Sequence, residues 1–249
     1  MEKIEVCVND FISGILENEI ENVKAILLIG SINREKKIIQ DWSDLDFIII
    51  WKNLQKLNFE RLASTIERIE SKYSLRIDLN QISEAELSDI TYSQCLYNGI
   101  IMNAIKRPHQ HQILFGSLPD FQITDQQEKQ AALYYINQML FWKREYFIET
   151  LFRTSNLKDN FPQLLRRTFS IVRASLRLFD IFCNPYEDTI ENAENVFPEF
   201  KFEVLQKLHL IKNNYSSIEV CKLEETLIEI SNFIETFIPL VLRKYNEKR

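Results

Sequence analysis

The segments ILLIGS at residues 26–31 and SDLDFIII at residues 43–50 decide the fold of the first half of this chain. The first is a short apolar strand that ends in a Gly-Ser turn, and the second begins with two carboxylates and then runs apolar. Because side chains alternate along a β-strand, Asp44 and Asp46 are predicted to lie on one face. Two neighbouring carboxylates repel each other unless a cation lies between them, and a hard divalent metal is the natural occupant.

A third carboxylate comes from the strand predicted over residues 74–80. The odd-numbered residues of this strand are apolar, whereas Arg76, Asp78 and Asn80 share the other face. If this strand lies beside the strand of the paired carboxylates, Asp78 can complete a second metal site or accept the proton of an attacking hydroxyl. The alternative is that Asp78 is a solvated edge-strand residue that pairs with Arg76.

The Gly-Ser turn has the features of a phosphate-binding turn. Gly30 would let the backbone approach a phosphate closely, because it has no side chain. Ser31 would offer a hydroxyl and an N–H at the start of the following helix, where the helix dipole favours an anion. Arg34 lies one turn further on and could reach the same phosphate, or it could be an ordinary surface cation.

These residues together resemble the DNA polymerase β-type nucleotidyltransferase superfamily. The superfamily pattern is an apolar residue before Gly-Gly or Gly-Ser, a gap, and then Asp-x-Asp or Asp-x-Glu among apolar residues. Here the pattern is carried by Ile29-Gly30-Ser31 and by Asp44-Leu45-Asp46-Phe47, followed by the single Asp78 on a later strand. The resemblance covers roughly residues 20–80. A helical domain after this region is usual in the aminoglycoside-nucleotidyltransferase-like branch.

The resemblance implies a role for each matching residue. Asp44 and Asp46 would bind Mg²⁺, and Asp78 would be the third acidic residue, as a metal ligand or in catalysis. Gly30 and Ser31 would hold the triphosphate of the donor, which is ATP or another nucleoside triphosphate.

Glycine usage divides the chain into two parts. Only four glycines occur, and none follows Gly116, which predicts that the remainder consists of helices joined by short loops. We therefore predict an α+β fold, with a nucleotidyltransferase catalytic domain over residues 1–116 and a helical substrate-binding domain over 117–249. Strands are predicted over 24–29, 45–51 and 74–80, and residues 110–115 are predicted to be one more strand or an extended linker. Helices are predicted over 3–20, 58–72, 125–153, 161–182, 199–212 and 217–245.

The helical half contains further candidate residues. Four polar residues share one face of the helix predicted over 161–182: Arg166, Ser170, Arg173 and Arg177. If this face meets the active site, it could bind the triphosphate or an anionic acceptor, and Arg173 is the residue that we assign to the nucleotide. The alternative is a solvated face. The resemblance to aminoglycoside-modifying enzymes implies that a carboxylate outside the Asp-x-Asp pair can be the general base, and Glu145 or Glu149 on the preceding helix could fill that role. The alternative is that these residues belong to a charged helix surface.

Composition and charge narrow the function classes. The net charge of −6 argues against general nucleic-acid binding through a basic surface. Four cysteines far apart in the sequence indicate reduced residues of a cytoplasmic protein rather than a zinc site or disulfides. The apolar runs are shorter than a membrane span requires, so no membrane association is expected.

The sequence thus predicts a metal-dependent nucleotidyltransferase. We expect it to move a nucleoside monophosphate, AMP from ATP in the simplest case, onto a hydroxyl of a small molecule such as an aminoglycoside-like antibiotic. The alternative is a nucleotide-binding regulatory or antitoxin-type protein, which could act on a protein acceptor. The acceptor, the nucleobase, the general base and the oligomeric state stay open at this stage.

Overall fold

The computed structural model describes residues 2–30, 44–88, 106–107, 111–118, 120, 123–152 and 157–248, without the side chains of residues 2 and 143–152. The chain divides into two compact units, Met1–Thr124 and Asp125–Arg249. The first contains a mixed β-sheet with helices, and the described part of the second contains helices only. The α+β class predicted from the sequence is confirmed. The roles assigned to the two predicted domains stay predictions.

The first unit is built on a four-stranded sheet with the strand order β3-β2-β1-β4. Strand β1 pairs antiparallel with both β2 and β4, whereas β2 and β3 are parallel. Its described elements are α1 (Glu2–Glu19), β1 (Val23–Ile29), β2 (Asp44–Trp51), α2 (Phe59–Tyr73), β3 (Arg76–Ser83), α3 (Glu84–Ser88) and β4 (Gln112–Gly116).

The two faces of this sheet differ in what covers them. One face packs against α1 and α2 and forms the larger core, in which the rings of Phe11 and Phe47 stack with centroids 4.2 Å apart. The other face carries a smaller apolar cluster that includes Leu27, Ile48 and Leu87. Since the even-numbered residues of β2 point to this second face, Asp44 and Asp46 lie at its edge rather than under the helices.

Helix α2 is terminated so that β3 follows at once. The side chain of Asn58 caps its start by accepting a hydrogen bond from the backbone N–H of Arg61, and Ser74 ends it in the left-handed conformation. The carboxylate of Glu70 then accepts a hydrogen bond of 2.7 Å from the backbone N–H of Ile77. These contacts fix where β3 begins and therefore where its polar residues lie.

The described part of the second unit contains five α-helices, besides a short 3₁₀ helix at Tyr215–Ser217. The α-helices are α4 (Asp125–Phe152), α5 (Leu157–Arg177), α6 (Tyr186–Val196), α7 (Glu203–Asn213) and α8 (Val220–Lys248). Their core includes a group of packed phenylalanines around Phe237, whose side chain is fully buried. None of the described helices is long and apolar enough to cross a membrane.

The helix predicted at about 161–182 is present, but both of its ends differ from the prediction. It begins at Leu157 and ends at Arg177, and the separate helix α6 was not predicted. The helix ends earlier than predicted because of Asp180, which adopts the left-handed conformation with φ of 65°. The backbone N–H groups of Asp180 and Ile181 donate to the carbonyls of Arg177 and Leu176, a C-terminal capping arrangement that usually contains glycine.

Candidate functional site

Three carboxylates meet at one edge of the sheet of the first unit. Asp44 and Asp46 begin β2, and the parallel register of β3 places Asp78 directly opposite Asp46. Each of the three offers a carboxylate oxygen, and these oxygens all lie within 4.8 Å of one another. The structure therefore brings together the three acidic residues that the sequence singled out.

The three side chains differ in their access to solvent. Asp44 is 6% exposed, Asp46 is half-buried, and Asp78 is exposed. The carboxylate group is consequently shielded from solvent at Asp44 and accessible to solvent at Asp78. A molecule that reaches the carboxylates from solvent would meet Asp78 first.

The chemistry of this donor set fits a hard divalent cation. Three acidic groups at this separation repel one another when ionised, and a cation between them removes that cost. Mg²⁺ takes oxygen ligands, and it is usually held by one or two carboxylates together with waters and the phosphates of a substrate. Asp44 and Asp46 could supply the protein ligands, and the open side at Asp78 leaves room for the others.

Gly30 lies directly against the Asp46 carboxylate. Its φ is +80°, and a Cβ atom built there would lie 1.9 Å from Oδ2 of Asp46. No residue with a side chain could occupy this position without moving the carboxylate. Gly30 was selected from the sequence as a phosphate contact, and the structure gives a second reason for glycine here. Ser31 and Arg34, the other two residues predicted for the phosphate, lie outside the described residues.

Arg76 lies at the same edge of the sheet as the carboxylates. It is the register partner of Asp44 across the β2–β3 pair, and it shares a face with Asp78 because the two are separated by one residue. The sequence allowed an ion pair between Arg76 and Asp78. Among the described residues, however, the Arg76 side chain forms no ion pair or hydrogen bond, and it is exposed.

Arg173 belongs to the second unit, where it connects two helices. Its Nε donates a 3.0 Å hydrogen bond to the hydroxyl of Thr189, and its Nη2 donates to the backbone carbonyl of Asn184. Its guanidinium also lies 5.0 Å from the centroid of the Tyr186 ring. The sequence missed these partners because they lie in α6 or just before it. The role of Arg173 as a nucleotide contact stays a prediction.

The polar face of α5 is not simply solvated. The Arg177 side chain is only 11% exposed, and its Nε lies 3.8 Å from Oε1 of the buried Glu128. The interpretation of this face as a solvated surface is therefore wrong at Arg177. The two glutamates considered as general bases, Glu145 and Glu149, lie in α4, but their side chains fall outside the described part.

Comparisons with known proteins support the fold. A spectinomycin adenyltransferase from Enterococcus, AAD(9), solved with ATP and spectinomycin, superposes with a TM-score of 0.58 at 14% identity, covering 93% of this chain and 99% of that chain. A toxin–antitoxin structure with AMP-PNP matches at 18% identity and a TM-score of 0.29, covering 58% of this chain and 97% of that chain. No family model matches the sequence, and no curated protein does. The chain therefore has a fold similar to that of the spectinomycin adenyltransferase, with a helical C-terminal part, as the resemblance implied.

Proposed function

We propose that this chain is a Mg²⁺-dependent nucleotidyltransferase that moves AMP from ATP onto a hydroxyl of a small molecule. The observation that carries the proposal is the group of three carboxylates, whose oxygens lie within 4.8 Å of one another beside the turn at Gly30. The likeness of the fold to that of an adenyltransferase supports it. We assign catalysis to the first unit and acceptor binding to the helical second unit.

Asp44 and Asp46 hold the metal in this proposal. Bound there, Mg²⁺ would neutralise the charge of the donor's phosphates during an in-line displacement. The buried position of Asp44 keeps this carboxylate fixed, and the neighbouring Gly30 leaves space for the carboxylate of Asp46. Ser31 and Arg34, which follow Gly30 in the sequence, are proposed to hold the triphosphate together with Gly30.

Asp78 is the residue that we propose to serve the acceptor. It is the exposed member of the group and lies opposite Asp46 in register. We propose that its carboxylate accepts the proton of the acceptor hydroxyl as the oxygen attacks the α-phosphorus and pyrophosphate leaves. Its alternative role is to complete a second metal site. An aminoglycoside-like antibiotic is one candidate acceptor, because the adenyltransferase of similar fold was solved with spectinomycin.

The proposal is tested by calorimetric titration of ATP, CTP, GTP and UTP in the presence of Mg²⁺. Wild-type protein is compared with the double variant Asp44→Asn/Asp46→Asn. The matched control is Asp188→Asn, which changes an exposed aspartate of the second unit. We expect metal-dependent binding of one nucleotide, with ATP first, which is lost in the double variant and kept in the control.

A transfer assay follows with the nucleotide that binds. It measures pyrophosphate release over a panel of hydroxyl acceptors that includes spectinomycin. Absence of nucleotide binding by the wild type would contradict the proposal. Equal binding by the folded double variant would show that the carboxylates do not form the metal site.

A further inference from the structure

We infer that Arg76 is a specificity-determining residue of this site and that it selects an acceptor carrying an anionic group. The inference rests on the proposed function and names the substrate class that it left open. The acceptor that we infer carries a negative charge, unlike a cationic, aminoglycoside-like acceptor. The juxtaposition that supports it is an exposed arginine on the sheet face that carries the three carboxylates.

The order of the strands separates the two sides of the site. Gly30 follows β1, on one side of β2, whereas Arg76 and Asp78 lie on β3, on the other side. If the triphosphate lies beside Gly30, the acceptor hydroxyl is expected on the opposite side of β2, at Asp78. Arg76 therefore belongs to the acceptor side of the metal ligands.

Arg76 is also close enough to Asp78 to contact the same small molecule. The two residues are separated by one position on β3, which corresponds to roughly 7 Å along a strand. Both are exposed. An acceptor whose hydroxyl lies at Asp78 would therefore place its next two or three atoms within reach of the Arg76 guanidinium.

The charge of Arg76 decides which acceptor fits. Within the described residues this guanidinium forms no ion pair, although three carboxylates lie at the same edge of the sheet. Its five N–H groups suit a planar carboxylate or a phosphate, to which arginine donates two parallel hydrogen bonds. An ammonium group at the same place would be repelled. The geometry thus favours a hydroxyl compound that bears a phosphate or a carboxylate.

The experiment uses four small probes that differ mainly in charge. They are glycerol 3-phosphate, glycerate, glycerol and the aminodiol serinol. Full-length protein is first saturated with Mg²⁺ and α,β-methylene-ATP, which cannot transfer AMP, and calorimetry verifies nucleotide binding. Binding of each probe is then measured by ligand-observed NMR for wild type, Arg76→Ala and Arg76→Lys.

Arg61→Ala is the matched control. Arg61 is an exposed arginine on α2, the helix that packs against the opposite face of the sheet. We expect the two anionic probes to bind wild type and Arg61→Ala more tightly than glycerol and serinol do. Arg76→Ala should bind both anions about ten-fold more weakly, as expected for the loss of charge-assisted hydrogen bonds, and Arg76→Lys should retain part of the affinity.

The two anionic probes distinguish whether the anionic group of the acceptor is a phosphate or a carboxylate. If Arg76→Ala loses affinity only for glycerol 3-phosphate, the group that Arg76 binds is a phosphate. If it loses affinity only for glycerate, the group is a carboxylate. Equal anion binding by wild type and Arg76→Ala would overturn the inference, as would a wild type that prefers serinol or binds no anion. In those cases nucleotide binding in the first step still supports the proposed function. Absence of nucleotide binding by the wild type would overturn both.

Discussion

A single methyl group at position 30 would collide with the Asp46 carboxylate. A Cβ atom at this position would lie only 1.9 Å from Oδ2, which is too close for any side chain, and the φ of +80° is itself unfavourable for residues other than glycine. Asp46 can shift only towards the other two carboxylates or away from them. Either movement changes the distances between the oxygens that we propose as metal ligands.

Gly30→Ala is therefore expected to weaken Mg²⁺ binding. We expect a loss on the order of ten-fold, similar to that seen when groups that orient metal ligands are altered. A further loss of about 1 kcal/mol in the free energy of unfolding is expected from the left-handed backbone. Calorimetric titration with Mg²⁺ and urea unfolding measure the two effects.

Gly14→Ala is the control for this change. A methyl group there would meet side-chain atoms of Thr65 and Arg68, at 2.8 and 2.9 Å, under the other face of the sheet. These side chains can move without disturbing the carboxylates, so Mg²⁺ binding should not change. If folded Gly30→Ala binds Mg²⁺ as wild type does, the contact with Asp46 has no role in the proposed site.

The acidic residues could be predicted because strand alternation is a simple rule. Two residues separated by one position share a face in any strand, which places Asp44 with Asp46 before the fold is known. The contact of Gly30 with Asp46 could not be predicted in this way. It depends on the register between β1 and β2, in which Ile29 lies opposite Asp46. The lack of an ion pair at Arg76 among the described residues equally depends on side-chain placement across two strands.

At the scale of elements, helix ends were harder to predict than strands. The four strands were found close to their predicted positions, because short apolar runs between polar segments define them. The end of α5 was missed because Asp180 takes the left-handed position that glycine normally marks. The usual sequence signal for the end of this helix is thus absent, and α6 was missed with it.

Helices α1 and α2 are linked by a charged hydrogen-bond group that should make stability depend on pH. The carboxylate of Asp10 accepts from Nζ of Lys72 at 2.6 Å and from the hydroxyl of Tyr73 at 2.5 Å. The bond from Lys72, and then that from Tyr73, lower the pKa of Asp10 below its ordinary 3.8. The bond to Asp10 raises the pKa of Lys72 above its ordinary 10.5.

Asp10→Asn tests this link through the pH dependence of unfolding. Because the pKa of Asp10 is lowered by folding, its contribution is complete above 3.8 and is lost as the pH falls through the lower folded value. Because the pKa of Lys72 is raised, its contribution is complete below 10.5 and is lost as the pH rises through the higher folded value. The variant should therefore be less stable than wild type by a constant amount between about pH 5 and 9.

Urea unfolding of both proteins, from below the ordinary pKa of 3.8 up to about pH 9, measures the difference in the free energy of unfolding. The difference in the free energy of unfolding between wild type and Asp10→Asn should become smaller below pH 4, as the wild-type carboxylate also becomes neutral. Asp188→Asn, which changes an exposed aspartate outside this group, should give no such profile. A gap for Asp10→Asn that persists unchanged at the acid end would mean that packing, and not the charge of Asp10, links the two helices.

At the scale of the whole molecule, glycine usage indicated where the sheet ends and the helices begin. The last glycine, Gly116, is also the last residue of β4, and every described element after it is a helix. The division into compact units falls slightly later, between Thr124 and Asp125. Composition could locate this change because helices of this kind need no left-handed glycine except at their ends. It could not show which phenylalanines form the core of the helical unit.

Phe237 is the residue on which this core is expected to depend most. Its side chain is fully buried, and its ring centroid lies between 5.2 and 5.5 Å from those of four other phenylalanines: Phe197, Phe200, Phe202 and Phe233. Phe237→Ala removes a large buried side chain and leaves a cavity. We expect the free energy of unfolding to fall by about 3–5 kcal/mol, and Phe237→Leu to cost less because more of the volume is kept.

Phe141→Ala provides the comparison within the same unit. This phenylalanine on α4 is 65% exposed, so its removal should change the free energy of unfolding by no more than about 0.5 kcal/mol. Urea unfolding followed by far-ultraviolet circular dichroism reports on the helices directly. If Phe237→Ala cost as little as Phe141→Ala, the packed phenylalanines would not be the core that stabilises the helical unit. If Phe141→Ala were the more costly, the exposed face of α4 would be covered in solution, because an uncovered aromatic side chain contributes little to stability.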